Sequence, residues 1–424
     1  MRAGPSGSWA GATGRWRPRA AVWAAVLVLG TAVGSAALFA PRVRAASPSA
    51  GDGGRDAGGF ILQDEIERQA DAIGLDDVQA VLDELNRDMQ GELPPLNLRD
   101  VTNMLLRGRG PYSFSSFIKA VGVRLGREVA AGSGLLARLV VLALLCGLLE
   151  NIQSAFARRE TTELAFGACY LVLIILAVGG FLVALEVCRG VIDRLVDFME
   201  AMVPVMITLL AGLGAVTTAT LLNPVLVAAL EFVAATIRDV MIPVVVSAAC
   251  IDLVSRTFTR FELTSLSELL KQGASVVTGV LIALFLGLVA VYGGAGAVFD
   301  GVAIKAAKFA AGNFIPFIGK ILSDAVEVVV GSSLILKNGI GVVGALAVVA
   351  LTVFPLLKVL SLVVVFRVAG AVVQPLGAGQ LVGSLRSVGN SLVLMMVLAA
   401  AVAVMYLVTL AIIVGAATGA VMLP

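Results

Sequence analysis

Long apolar runs with short polar interruptions dominate the chain. Ala20 to Ala40 is the first run, and Leu135 to Leu149 is the next, marked only by Arg138 near its start. Leu164 to Leu185 follows, and from about residue 193 the pattern continues almost to the end. A helix needs about 20 apolar residues to cross a hydrocarbon core of ~30 Å, and these runs approach or exceed that length. The pattern predicts an all-α fold: a polytopic transmembrane helical bundle. Glu150 to Glu163, with Arg158 and Arg159, reads as a cytoplasmic loop, because cationic side chains favour that side. Glu186 to Glu200 is mixed in charge and reads as a loop on the opposite side.

From residue 193 onward the same marks recur in the same order. Phe198 precedes Pro204; apolar runs lead to Asn223 and Pro243; Arg256 follows, then Leu270-Lys271, Gly273, Ser275 and a span from Val276 to Val298. Later, Phe309 precedes Pro316; runs lead to Asn338 and Pro355; Arg367 follows, then Leu385-Arg386, Gly389, Ser391 and a span from Leu392 to Val414. The reading is a duplication. If each unit crosses the membrane an odd number of times, the copies are inverted, with interrupted or re-entrant helices meeting near the midplane. Asn223-Pro224 and Asn338 are the expected breaks. Val326 to Leu357 is too long for one span and is divided by Glu327, Lys337 and Asn338. Irregular backbone at membrane depth requires cover by protein or access to water.

Charges within the apolar zone are the candidate functional groups. Glu231, Arg238 and Asp239 lie between Pro224 and Pro243, and Asp324, Glu327, Lys337, Lys358 and Arg367 lie in or beside the second unit's runs. A charge at mid-bilayer costs at least ~2.5–3.5 kcal/mol, so it needs a partner or a wet cavity. Glu231, Arg238 and Asp239 are expected to be buried or to line a cavity. Lys358 and Arg367 could equally reach the headgroups from span ends. The candidate polar-path and helix-break set is Asn223, Pro224, Glu231, Arg238, Asp239, Asp324, Glu327, Lys337 and Asn338. Gly339, Gly341 and Gly344 read as close-packing positions, since Gly339-x-Gly341 lacks the surroundings of a nucleotide loop.

Before the bundle, Arg15, Arg17 and Arg19 precede the first apolar run, and Val43-Arg44-Ala45 offers a small-residue cleavage site. Residues 1–45 therefore read as a signal peptide, with an uncleaved anchor as the alternative. Residues 46–130 read as an extracytoplasmic linker with short amphipathic helices. Phe114, Phe117, Ile118 and Val121, with Lys119, Arg124 and Arg127, suit a helix lying on the membrane surface or on a partner. Two transmembrane helices are expected over 131–190, one repeat unit over 191–300 and the other over 301–424.

Composition narrows the chemistry. The 424 residues are 59% hydrophobic and 14% charged, with a net charge of +2, which gives no basic surface for nucleic acid. Histidine is absent, removing the commonest general base and metal ligand. Cys146, Cys169, Cys188 and Cys250 share no CxxC spacing and read as small apolar fillers. No catalytic, cofactor or metal site is expected, and the chain is not read as an enzyme.

The runs NFIPFIGKILSDAVEVVVGSSLILKNGIGVVG and FPLLKVLSLVVVFRVAGAVVQPLG, within residues 313–377, resemble the stage III sporulation protein AE family. The resemblance is close over about 150–424 and diffuse before that. It implies a multi-pass protein of the mother-cell membrane around the forespore, in a channel or feeding-tube complex partly related to secretion systems. The implied partners are the lipid bilayer and other stage III sporulation membrane proteins, with self-association also open. Two other readings stand beside it: a stand-alone secondary transporter with inverted repeats, and a scaffold that recruits other subunits.

Overall fold

The computed structural model describes residues 114–155, 159–213, 216–257, 263–314, 319–376 and 379–421, with a few positions between 79 and 87. The expected signal peptide and most of the 46–130 segment lie outside the described residues. Every regular element among them is helical: α1 (Phe114–Ala131), α2 (Ser133–Ala155), α3 (Arg159–Gly212), α4 (Val216–Thr236), α5 (Ile242–Thr257), α6 (Thr264–Phe314), α7 (Gly319–Val373) and α8 (Gly379–Val421). A π turn, Ile237–Met241, joins α4 to α5. Four described helices are long and apolar enough to cross a membrane, five if α1 and α2, bent by 45°, count as one span.

The helix α3 shows why length alone misleads. Glu186 to Glu200, expected as a loop, is the interior of this 54-residue helix. Cys188, Ile192, Leu195, Met199 and Met202 are buried on one stripe, at the three- and four-residue spacing of a packed helix face. Arg189, Asp193, Arg194, Asp197 and Glu200 occupy the remaining positions. The polar residues are thus one side of a continuous rod. Pro204 lies inside it; lacking an amide hydrogen, it leaves the Glu200 carbonyl without its helical donor.

Neither expected helix break is one. The chain turns between Gly212 and Val216, and α4 runs through Asn223-Pro224; α7 continues through Asn338. Gly341 and Gly344 explain the continuity at Asn338. A Cβ on Gly341 would collide with Val414, and one on Gly344 with Met202, so these glycines seat α7 closely against α8 and α3 along an unbroken face. The third proline is absorbed by the π turn, where the Ile242 amide donates to the Ile237 carbonyl. The wider turn precedes Pro243, which cannot donate to residue 239.

The segments read as two repeat units each fold as a long rod followed by a long helix. The continuous rod α4–π–α5 carries Asn223, Pro243 and Arg256; α7 carries Asn338, Pro355 and Arg367. Each leads through a short connection to a long apolar helix, α6 or α8. The two connections lie at the same end of the bundle, because the Gln380 side-chain amide donates to the Arg256 carbonyl and the Ser387 hydroxyl to Asp252. The two hairpins therefore share one orientation, since two long helices per unit return the chain to its starting side. Among the described residues the expected inverted arrangement is not shown.

The helices α7 and α8 form the centre: 78% and 61% of their most apolar stretches are buried, against 33% for α3 and 22% for α6. The helix α1, expected on the membrane surface, packs on this bundle instead. Phe117 meets Phe354 of α7 edge to face at 6.3 Å, and Val121 and Leu125 pack beside it. Gly132, between α1 and α2, sits against Val365.

Candidate functional site: charged groups between the helices

The helices α3 and α8 run side by side in the same direction. The Tyr170 hydroxyl lies 2.6 Å from that of Ser384, and Met202 and Leu410 meet over Gly344. Near the first of these contacts the helices α5, α6 and α8 share a polar cluster that sequence reading did not find. Asp252, 5% exposed, sits at its centre. Its carboxylate accepts from Arg256 Nε at 3.1 Å and from the Ser387 hydroxyl, and Lys271 Nζ lies 3.5 Å away. Lys271 also donates to Ser387 at 3.4 Å. Ser267 donates to the Ala248 carbonyl at 2.7 Å. Arg256 and Lys271 were visible only as repeat marks. Their counterparts by order are Arg367 and Arg386, both exposed, and Val363 stands where Asp252 stands. An acid in one copy alone converts a shared mark into an ion-paired cluster.

A second group lies further along α3. Arg238 Nη1 donates to Asp193 at 2.6 Å, and its Nε and Nη2 donate to the two oxygens of Asp239 at 3.0 Å. The expectation of burial fails here. The Arg238 side chain is 33% exposed, Asp193 46% and Asp239 56%. Ile237, Met241, Val233 and Ala234 take the inner face of the rod, which leaves residues 231, 238 and 239 pointing outward. Partner and exposure together make this a surface ion-pair group.

The third place is a crevice of about 250 Å³, counting the space at its mouth. It is lined by Val196, Met199, Glu200 and Val203 of α3, Val227, Leu230 and Glu231 of α4, and Tyr406 of α8. Glu231, a predicted residue, is here with Glu200, which sequence reading placed in a loop. The Tyr406 side chain is fully buried and its hydroxyl has no hydrogen-bond partner among the described residues.

Lys337 stands apart from all three. It is 0% exposed, and its ammonium donates at 2.7 Å to the Val414 carbonyl of α8. Its neighbour Asn338 is half-buried. The side chains of Asn223, Pro224, Asp324 and Glu327 lie outside the described residues, so the predicted set is brought together only at Arg238, Asp239 and, two turns away, Glu231. Lys358 and Arg367 are exposed on α7. The four cysteines are free thiols, with Cys146 and Cys188 buried. Among the described residues no three acidic, cysteine or histidine side chains group as metal ligands.

Comparison with known proteins agrees with the resemblance read from residues 313–377. Residues 96–417 match the family model described as stage III sporulation protein AE. The stage III sporulation protein AE of Bacillus subtilis (strain 168) is 31% identical over 350 residues, covering 82% of this chain and 88% of that one. No solved structure matches. The chain is a multi-pass helical membrane protein and belongs to the stage III sporulation protein AE family.

Proposed function

We propose that this chain is a membrane component, without catalysis of its own, of the channel complex that links mother cell and forespore during endospore formation. In this reading it lies in the mother-cell membrane around the forespore, with residues 46–130 on the extracytoplasmic side, and it assembles with other stage III sporulation membrane proteins. Family membership supports the setting. The observation that carries the role is the outward charged face built by Asp193, Asp197 and Glu200 of α3 with Glu231, Arg238 and Asp239 of the neighbouring rod. This face lies beside the uncharged run Leu392 to Val414 of α8, through Tyr406. Lipid cannot solvate such a face; water in a conduit or a polar partner subunit can.

A scaffold is the second reading, favoured by the same face if a partner covers it throughout. The transporter reading loses its main support, because it rested on inverted repeats and breaks at Asn223 and Asn338. The test uses an endospore-forming host whose own gene is replaced by this one. Arg238→Glu and Glu231→Arg are expected to lower heat-resistant spore counts by about tenfold or more, with unchanged amounts of the chain in the membrane. Normal spore counts from both variants would refute the role of this face.

A further inference from the structure

The crevice between α3, α4 and α8 is lined by three residues whose side-chain oxygens have no partner among the described residues. Glu200 and Glu231 line it, and among the described residues neither carboxylate has an ion-pair or hydrogen-bond partner. The Tyr406 hydroxyl, fully buried on α8 and without a partner, completes the lining. Orphaned buried hydroxyls are uncommon, and each calls for an explanation. A backbone oxygen of α3 is also short of a donor. Pro204 supplies no amide hydrogen, so the Glu200 carbonyl lacks its helical donor.

The remaining wall is apolar: Val196, Met199, Val203, Val227 and Leu230. Both carboxylates are exposed at the mouth of the crevice, open to an entering cation, and two like charges lining one crevice favour a positive charge there. Arg238 of the adjoining ion-pair group is engaged by Asp193 and Asp239. Asp197, the other titratable group on this side of α3, adds negative charge. Two carboxylates line the crevice, fewer oxygens than the roughly six to eight that a calcium ion takes.

We infer that the Glu200–Glu231–Tyr406 crevice binds a monocation through oxygen ligands, the two carboxylates supplying charge and the Tyr406 hydroxyl and Glu200 carbonyl supplying neutral donors. An alkali ion and the ammonium group of a small amine share this chemistry. The inference stands independently of the channel role, since it concerns binding by the isolated chain.

The test is radioactive sodium binding to the full chain in detergent, in a buffer whose only other cation is bulky N-methylglucamine. Unlabelled potassium and methylammonium serve as competitors. Saturable sodium binding is expected, with loss on Glu200→Gln/Glu231→Gln and about tenfold weakening on Tyr406→Phe. Methylammonium stabilising the wild type where sodium neither binds nor stabilises would assign the site to amines. Tyr406→Phe guards against misfolding. It deletes only an unpaired hydroxyl, so its unfolding midpoint without added cation should equal or exceed the wild type, while its gain on adding cation should be smaller. No saturable binding of sodium together with no stabilisation by potassium or methylammonium would overturn the inference. So would equal binding by wild type and the double glutamine variant.

Discussion

Replacing Asp252 by asparagine keeps the shape of the side chain and removes one charge from the junction of α5, α6 and α8. The carboxylate is 8% exposed and Lys271 is 19% exposed, so the ammonium left behind is largely out of water. Breaking a buried ion pair from one side costs about 3–5 kcal/mol. The partial exposure of Lys271 and the one-third exposure of Arg256 reduce this, because solvent screens both cations. The expected loss is about 2–3 kcal/mol. Most of it is the penalty of an uncompensated Lys271, so Lys271→Met added to Asp252→Asn should restore about 1–2 kcal/mol. The assay is chemical unfolding of the solubilised chain followed by circular dichroism, with slopes compared to confirm that the same surface is exposed. A loss below about 0.5 kcal/mol for Asp252→Asn would refute the reasoning. So would a double variant whose loss equals the sum of the two single losses, since that would mean no coupling.

Four further outcomes are expected from the same bundle. Gly341→Ala should destabilise by about 1–3 kcal/mol, because the new methyl meets the stiff, β-branched Val414. Gly344→Ala should lose less, because the flexible end of Met202 can move aside; equal losses in unfolding experiments would contradict the packing account. Lys337→Met should leave stability unchanged or raise it by up to about 2 kcal/mol, since it removes a buried ammonium held by one carbonyl; a large loss would reveal a further polar partner. Arg238→Ala should lower stability by under about 1 kcal/mol, because the group is a third exposed, while spore formation falls through loss of the outward face; a large fall in unfolding energy would place the group in the core. Tyr170→Phe should destabilise by about 1 kcal/mol, reporting the buried bond between α3 and α8, and a neutral result would show that Ser384 finds another partner.

Apolar composition and run length alone determined that this is a helical membrane bundle. The physical reason is that lipid offers no hydrogen bonds, so long apolar segments must satisfy their own backbone as helices. The order of Asn, Pro, Arg and Lys/Arg marks suggested two units, and the glycines of α7 were recognisable as packing positions. Residue order could not reveal direction. Whether a unit contains one or two long helices depends on whether Asn223-Pro224 and Asn338 break the chain, and only packing against neighbours decides that. At Asn338 the close seat of Gly341 and Gly344 on Val414 and Met202 accompanies an unbroken α7, and the two hairpins share one direction. The same holds for the charges. Glu186 to Glu200 reads as a loop by composition, yet the buried stripe from Cys188 to Met202 makes it a helix face. Asp252, unmarked in sequence, gains its place because two hairpin ends meet and bring Arg256, Lys271 and Ser387 around it. Local pattern carries the period of a helix and the cost of a charge in lipid. It does not carry which helix lies beside which, and that neighbour decides whether a charge is paired, exposed or left waiting for a counterion.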